Sequence, residues 1–151
     1  MTFSRITLIC LFITLSSPLW AADSPPPVDG TLPAFTLTAP ASPENRRYLG
    51  IGEAETFTIP EIKADVVIIE VFSMYCPHCQ REAPEVNTLY RLMADYPERG
   101  DRLKIIGIGA GNSDFEVDYF RTTYDVPFPL IPDGDFVIHK ALGEVRTPYF
   151  L

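Results

Sequence analysis

Two cysteines with two residues between them, Cys76-Pro77-His78-Cys79, carry the clearest chemistry in this chain. A pair at this spacing can close into a disulfide and be reduced again. The attacking species is the thiolate, and a free cysteine at neutral pH is mostly protonated. A helix N-terminus favours an anion through its unpaired N–H groups and the positive end of its dipole. The pattern predicts Cys76 at such a terminus. Pro77 suits the first helical position, because it has no N–H to leave unpaired. His78 can add a positive charge or a donor beside the sulfur and lower its pKa. Cys79, one turn on and facing back, can resolve a mixed disulfide.

Other uses of the motif weigh less. A structural zinc site needs four ligands, and beyond the N-terminal segment the chain offers Cys76, Cys79, His78 and His139, with no second cysteine pair. A c-type haem needs a histidine directly after the second cysteine, where Gln80 stands. A purely structural disulfide would close a very short loop and stabilise little.

The elements that must hold the pair lie on either side of it. Val66–Phe72 is β-branched and aromatic, apolar except for Glu70, the pattern of a strand buried on both faces. A long helix is predicted from Cys76 to Tyr96, with Ala83, Val86, Tyr90 and Met93, joined by Leu89 and Tyr96, as its core stripe. Pro84 removes one backbone bond inside it and predicts a kink. Pro97 to Asp101 ends it. Leu103 to Gly109 reads as a second buried strand. Asn112-Ser113-Asp114 offers caps for a helix to Tyr124, with Val117, Phe120 and Tyr124 inward. Val126 to Ile131 is extended, Asp133-Gly134-Asp135 a turn, and Phe136 to Leu142 a short helix or irregular segment. Before the central strand, Leu32 to Leu37 reads as a first strand. Thr38 to Arg47 reads as turns, Tyr48 to Pro60 as containing a short hairpin, and Pro60 to Lys63 as a brief turn. Strand alternating with helix points to an α/β layer fold.

At 151 residues the chain is one domain's worth. Its Lys+Arg count of 12 against 20 Asp+Glu, a net charge of −8, argues against nucleic acid and anionic membrane surfaces as partners. Residues 1–22 read as a signal peptide: Arg5 is followed by the apolar run Ile6 to Leu15 and a small-residue tail, with cleavage expected after Ala21 or Ala22. The alternative is an uncleaved segment that anchors the protein to the inner membrane. Residues 23–31 form a Pro-rich linker, expected extended and poorly ordered. Residues 32–151 form the domain. Export to an oxidising compartment lets the Cys76/Cys79 pair be kept active by exchange with partners.

Glu70 to Cys79 (EVFSMYCPHC) resembles the active-site segment of the thioredoxin superfamily. Cys-Pro-His-Cys with the preceding Glu-x-Phe-Ser is similar to the DsbA thiol oxidases. Cys-x-x-Cys-x-x-Glu-x-Pro, Cys76 to Pro84, and the flanking chain resemble the TlpA/ResA-type periplasmic reductases. The resemblance runs from about Leu32 to Leu151 and implies a thioredoxin-like α/β fold, a central mixed β-sheet flanked by helices. It implies a thiol–disulfide oxidoreductase whose redox-active group is a Cys76-Cys79 disulfide, with no other cofactor and no metal. Glu70 matches an acid of thioredoxin and DsbA relatives. Burial would raise its pKa and let it exchange a proton with Cys79. Glu82 matches the acid of the TlpA/ResA pattern and reads equally well as a surface charge. Thr147-Pro148 resembles the cis-proline loop that faces the dithiol and grips substrate backbone. Substrates would be cysteine-containing exported proteins, and a membrane or periplasmic redox partner would recycle the dithiol. The histidine between the cysteines favours an oxidising disulfide, while the flanking chain leans to the reductase branch. The alternative is a copper-binding chaperone using Cys76, Cys79 and His139, although copper chaperones of the SCO type space their cysteines by three residues.

In the family two further strands and a helix follow the cis-proline loop. The chain therefore reads as truncated after that loop, which predicts that Val66–Phe72 is left as an exposed apolar edge.

Overall fold

The computed structural model describes residues 24–96 and 102–151. The expected signal peptide and the expected helix stop at Pro97 to Asp101 lie outside the described residues.

Strand β3 (Val66–Phe72) runs where the β-branched stretch places it. Its Cα partners in β4 (Leu103–Ala110) are parallel and in register from Val66↔Leu103 to Phe72↔Gly109. Strand β5 (Leu130–Asp133) adds in parallel to the far side of β4, and β6 (Tyr149–Phe150) adds antiparallel to β3. The mixed sheet has the order β5-β4-β3-β6. Alternation along β3 divides its side chains between two cores. Ile69 and Val71 join Ile106, Ile108 and Leu142 on one face. Phe72 joins Ile105, Cys79, Val86 and Phe120 on the other. Glu70, two residues before Phe72, shares the second face.

Helix α2 (Pro77–Ala94) and helix α3 (Asp114–Thr123) both cover that second face, through Cys79, Ala83 and Val86 and through Val117 and Phe120. Two crossovers stepping the same way across a parallel sheet place their helices on one side. The first face is covered by helix α1 (Pro43–Leu49), the two-stranded antiparallel sheet of β1 (Leu37–Thr38) and β2 (Thr56–Phe57), and helix α4 (Val137–Ala141).

Several expectations are corrected. The second half of the central strand is not an exposed edge, while Val66 at its start is half exposed. Tyr149 pairs with Val71, Phe150 with Glu70, and Leu151 exchanges both backbone bonds with Ile69. The first strand is two residues long, not six, and pairs with Phe57. The turn-rich stretch holds α1 instead. Ser42 accepts from the Asn45 N–H, Pro43 opens the helix, and Gly50 closes it at φ +68°, where a residue with a Cβ would be strained. Tyr48 therefore lies in that helix, and the hairpin expected within Tyr48 to Pro60 is not formed: its strand Thr56–Phe57 pairs back with Leu37–Thr38 across α1. Helix α2 ends at Ala94, short of Tyr96; Leu89 and Tyr96 are exposed, while Asn87 is buried in their stead and donates to the Tyr124 carbonyl at 2.8 Å. At the start of the described chain, the Ser24 and Pro25 backbone lies against Gly143, whose φ of +82° and absent Cβ make room for it. Among the described residues, no helix is long and apolar enough to cross a membrane.

Candidate active site

Strand β3 delivers the chain to the sheet's C-terminal edge, and the turn Ser73-Met74-Tyr75 redirects it into α2. Cys76 is the N-cap of that helix. Its Sγ accepts from the Cys79 N–H at 3.4 Å, and its own N–H donates to the Ser73 carbonyl at 3.0 Å. The Gln80 amide donates to the Met74 carbonyl at 2.7 Å. The cis Thr147-Pro148 bond brings a second loop over the sulfur, and the Cys76 thiol donates to the Thr147 carbonyl at 3.3 Å. Both cysteines are free thiols here.

Their surroundings differ. Cys76 is partly exposed and Cys79 is 0% exposed. Partial burial raises the Cys76 pKa, but hydrogen bonds from the Thr147 side chain, the Cys79 N–H, the Cys79 thiol and the His78 N–H together hold it below its ordinary 9.0. Burial pushes the Cys79 thiol up to about 12, against a smaller downward pull from the Ser73 backbone and with the neighbouring Cys76 sulfur adding to the rise. One sulfur is set up to ionise and attack. The other stays protonated until something takes its proton.

Glu70 shares the α2-covered face of the sheet with Cys79. Its carboxyl faces α2, is 3% exposed, and has one buried oxygen without a hydrogen-bond partner among the described residues. Burial, then the charge of Glu82, raises its pKa from 4.5 to about 7. Glu82, itself on α2, is thus brought to bear on Glu70 of β3. The imidazole of His78 is exposed, and its Nδ1 accepts from the Arg81 guanidinium at 2.8 Å, since a guanidinium can only donate. This residue acts on the Cys76 sulfur through its backbone N–H. His139 lies on α4, where Asp133 accepts from its N–H and its Nε2 bonds the Val145 carbonyl at 2.8 Å. No three His, Cys, Asp or Glu side chains converge as a metal-binding set among the described residues, so the copper alternative gains no ligand set.

Sequence reasoning missed the groups that hold the turn. Asn112, read as a helix cap, leaves that role to Ser113, which forms a capping box with Glu116. Asn112 instead accepts from the Met74 N–H at 2.8 Å and donates to the Ser73 hydroxyl at 3.4 Å. Tyr75, exposed, donates its hydroxyl to Glu116. The available signal was an asparagine just past the glycines of a buried strand, where the chain must reverse beside the site. A pocket of ≈ 490 Å³ opens beside Cys76, lined by Ser73, Tyr75, Gly111, Phe136, Arg146 and Thr147. A larger one of ≈ 850 Å³ lies along β5, between Tyr48, Tyr90 and Arg121, and none of the dithiol residues lines it.

The model of the AhpC/TSA family matches residues 28–150. The thiol-disulfide oxidoreductase ResA of Halalkalibacterium halodurans is 30% identical over 96 residues, covering 64% of this chain and 52% of that protein. ResA of Bacillus cereus is 29% identical over 96 residues, 64% of this chain and 53% of its own length. The chain spans about half the length of these curated relatives. Among solved structures, a secreted Mycobacterium tuberculosis disulfide oxidoreductase homologous to Escherichia coli DsbE matches with a TM-score of 0.55 at 21% identity, over 77% of this chain and 72% of that one. A Bacteroides thetaiotaomicron protein described as a putative protein disulfide isomerase matches at 0.59 and 17% identity, over 87% and 70%. At these identities the structures show the shared thioredoxin-like fold.

Proposed function

The chain belongs to the AhpC/TSA family, whose fold is thioredoxin-like, and from that premise we propose that it is an exported thiol–disulfide oxidoreductase working through Cys76 and Cys79. The observation that carries this reading is the opposed state of two thiols one turn apart, one lowered and partly exposed, the other raised to about 12 and buried.

The Cys76 thiolate attacks one sulfur of a client disulfide. A Cys76–client bond forms, the client S–S bond breaks, and the first client sulfur leaves as a thiolate. Cys79 then gives its proton to the Glu70 carboxylate and attacks Cys76 Sγ. The second client sulfur leaves, and the pair ends as the Cys76-Cys79 disulfide, two electrons having passed to the client. Run backwards, the same steps oxidise a client dithiol. Glu70 suits the proton transfer because its pKa of about 7 lets it hold or release a proton near neutrality. Pro77 opens the helix that presents Cys76, and Glu82 modulates Glu70. Thr147 and Pro148 would receive the backbone of the client beside the attacked disulfide. Clients are cysteine-containing exported proteins, and a dithiol or disulfide partner in the membrane or periplasm resets the pair. The leader-like residues 1–22 support export to the periplasm.

Insulin turbidity with dithiothreitol tests the reading. The wild type should shorten the lag and Cys76→Ala should not. Equal curves from two folded proteins would contradict it.

A further inference from the structure

Asn112 is 0% exposed, yet it belongs to no catalytic pattern in the sequence. The chain makes room for it. A Cβ on Gly109 would stand 3.2 Å from the Asn112 Cβ, and Gly111 turns at φ +66° so that the Asn112 N–H reaches back to the Gly109 carbonyl at 3.0 Å. The side-chain amide is thereby aimed across the end of β4 at the turn after β3, 38 residues away in sequence from Met74. A buried amide with both ends bonded to one short turn restrains that turn more tightly than packing does.

We propose that Asn112 is a positioning residue: by clamping the Met74 N–H and the Ser73 hydroxyl, it fixes the turn that packs against Cys79, and so sets how readily Cys79 leaves as a thiolate. The inference rests on the exchange reading of Cys76 and Cys79. The Ser73 carbonyl holds the Cys76 N–H, and the Ser73 backbone is the first group opposing the burial that raises the Cys79 pKa. Without the clamp the turn loses two of its fixed points. Departure of Cys79 then becomes harder, because a thiol of higher pKa leaves more slowly.

Reduction of the Cys76-Cys79 disulfide by dithiothreitol isolates that step. A dithiothreitol thiolate bonds to the more accessible Cys76 sulfur, the S–S bond breaks, and Cys79 departs with the electron pair before taking a proton. The second dithiothreitol thiol then closes the reductant's own disulfide and frees Cys76. Full-length wild type, Asn112→Ala and Ser73→Ala are compared for this rate, for iodoacetamide alkylation of Cys76 and for denaturant stability. Ile138→Val, a mild change in the opposite core, is the stability control. Reduction should slow about threefold or more in Asn112→Ala and less in Ser73→Ala, while Cys76 alkylation stays within about twofold of wild type. Reduction at the wild-type rate in folded Asn112→Ala overturns the proposal. So does a slowing that Ile138→Val reproduces. Should Asn112→Ala not fold, Ser73→Ala decides alone, and an unchanged rate there overturns it. A wild type that forms no Cys76-Cys79 disulfide would instead refute the exchange reading itself.

Discussion

Cys76 caps α2 from outside, under a loop that shares its hydrogen bonds, whereas Cys79 is packed into the core between α2 and β3 with Phe72 and Val86. Two residues separate them, and both lie within the first turn's electrostatic reach. Their thiols are nonetheless driven in opposite directions. The difference teaches that a helix terminus alone does not decide thiol chemistry. The count of donors that reach the sulfur, set against the water it has lost, decides it. Cys76 has donors from its own turn and from Thr147, and Cys79 has mainly the Ser73 backbone.

The largest effects should come from removing either sulfur. Cys76→Ala abolishes exchange. Cys79→Ala leaves alkylation at Cys76 and accumulates a mixed disulfide with a client, visible on a non-reducing gel. Mixed disulfides of equal lifetime in Cys79→Ala and wild type would remove the division of labour.

Glu70→Gln comes next and has a defined sign. A folded pKa of about 7 against 4.5 means that the folded state holds the proton more tightly. The full stability is therefore present below about pH 4.5 and is lost as pH rises through about 7, by roughly 3 kcal/mol in all. Denaturant titrations across that window should show the fall in wild type and a flat profile in Glu70→Gln, together with slower resolution by Cys79. Parallel profiles would mean that Glu70 ionises as an ordinary carboxylate.

Thr147→Val removes the hydroxyl that favours both thiolates. A hydrogen bond to a charged group contributes about 1.5–3 kcal/mol, so alkylation of Cys76 below neutral pH should slow several-fold. The smallest effect is expected at His78. His78→Ala keeps the backbone N–H and loses only a ring bonded to Arg81, so Cys76 alkylation should stay within about twofold of wild type. A larger change would return the tuning role to the imidazole.

How far the sequence carried these conclusions depended on range. Val66–Phe72 and the α2 start at Cys76 were legible because alternation, β-branching and a proline after the cap are local patterns. Helix α1 was also locally encoded, by Ser42-Pro43 and Gly50, but the polar residues between them read as turns. Tyr149–Phe150 as the neighbour of β3 was hidden, since two residues carry no periodicity and their partners lie far back in the chain. The clamp by Asn112 and the nearness of the Glu82 charge to Glu70 were hidden for the same reason. Each depends on where the fold brings two segments together. For His78 the residue type was legible but its ring contact with Arg81 was not.

The most direct measurement is the ultraviolet absorbance of thiolate against pH in the reduced protein, taken as differences between wild type and Cys76→Ala and between wild type and Cys79→Ala. The first difference should titrate below the ordinary 9.0, and the second should show no thiolate until about 12. Two differences rising together near 9 would contradict the opposed chemistry of the pair.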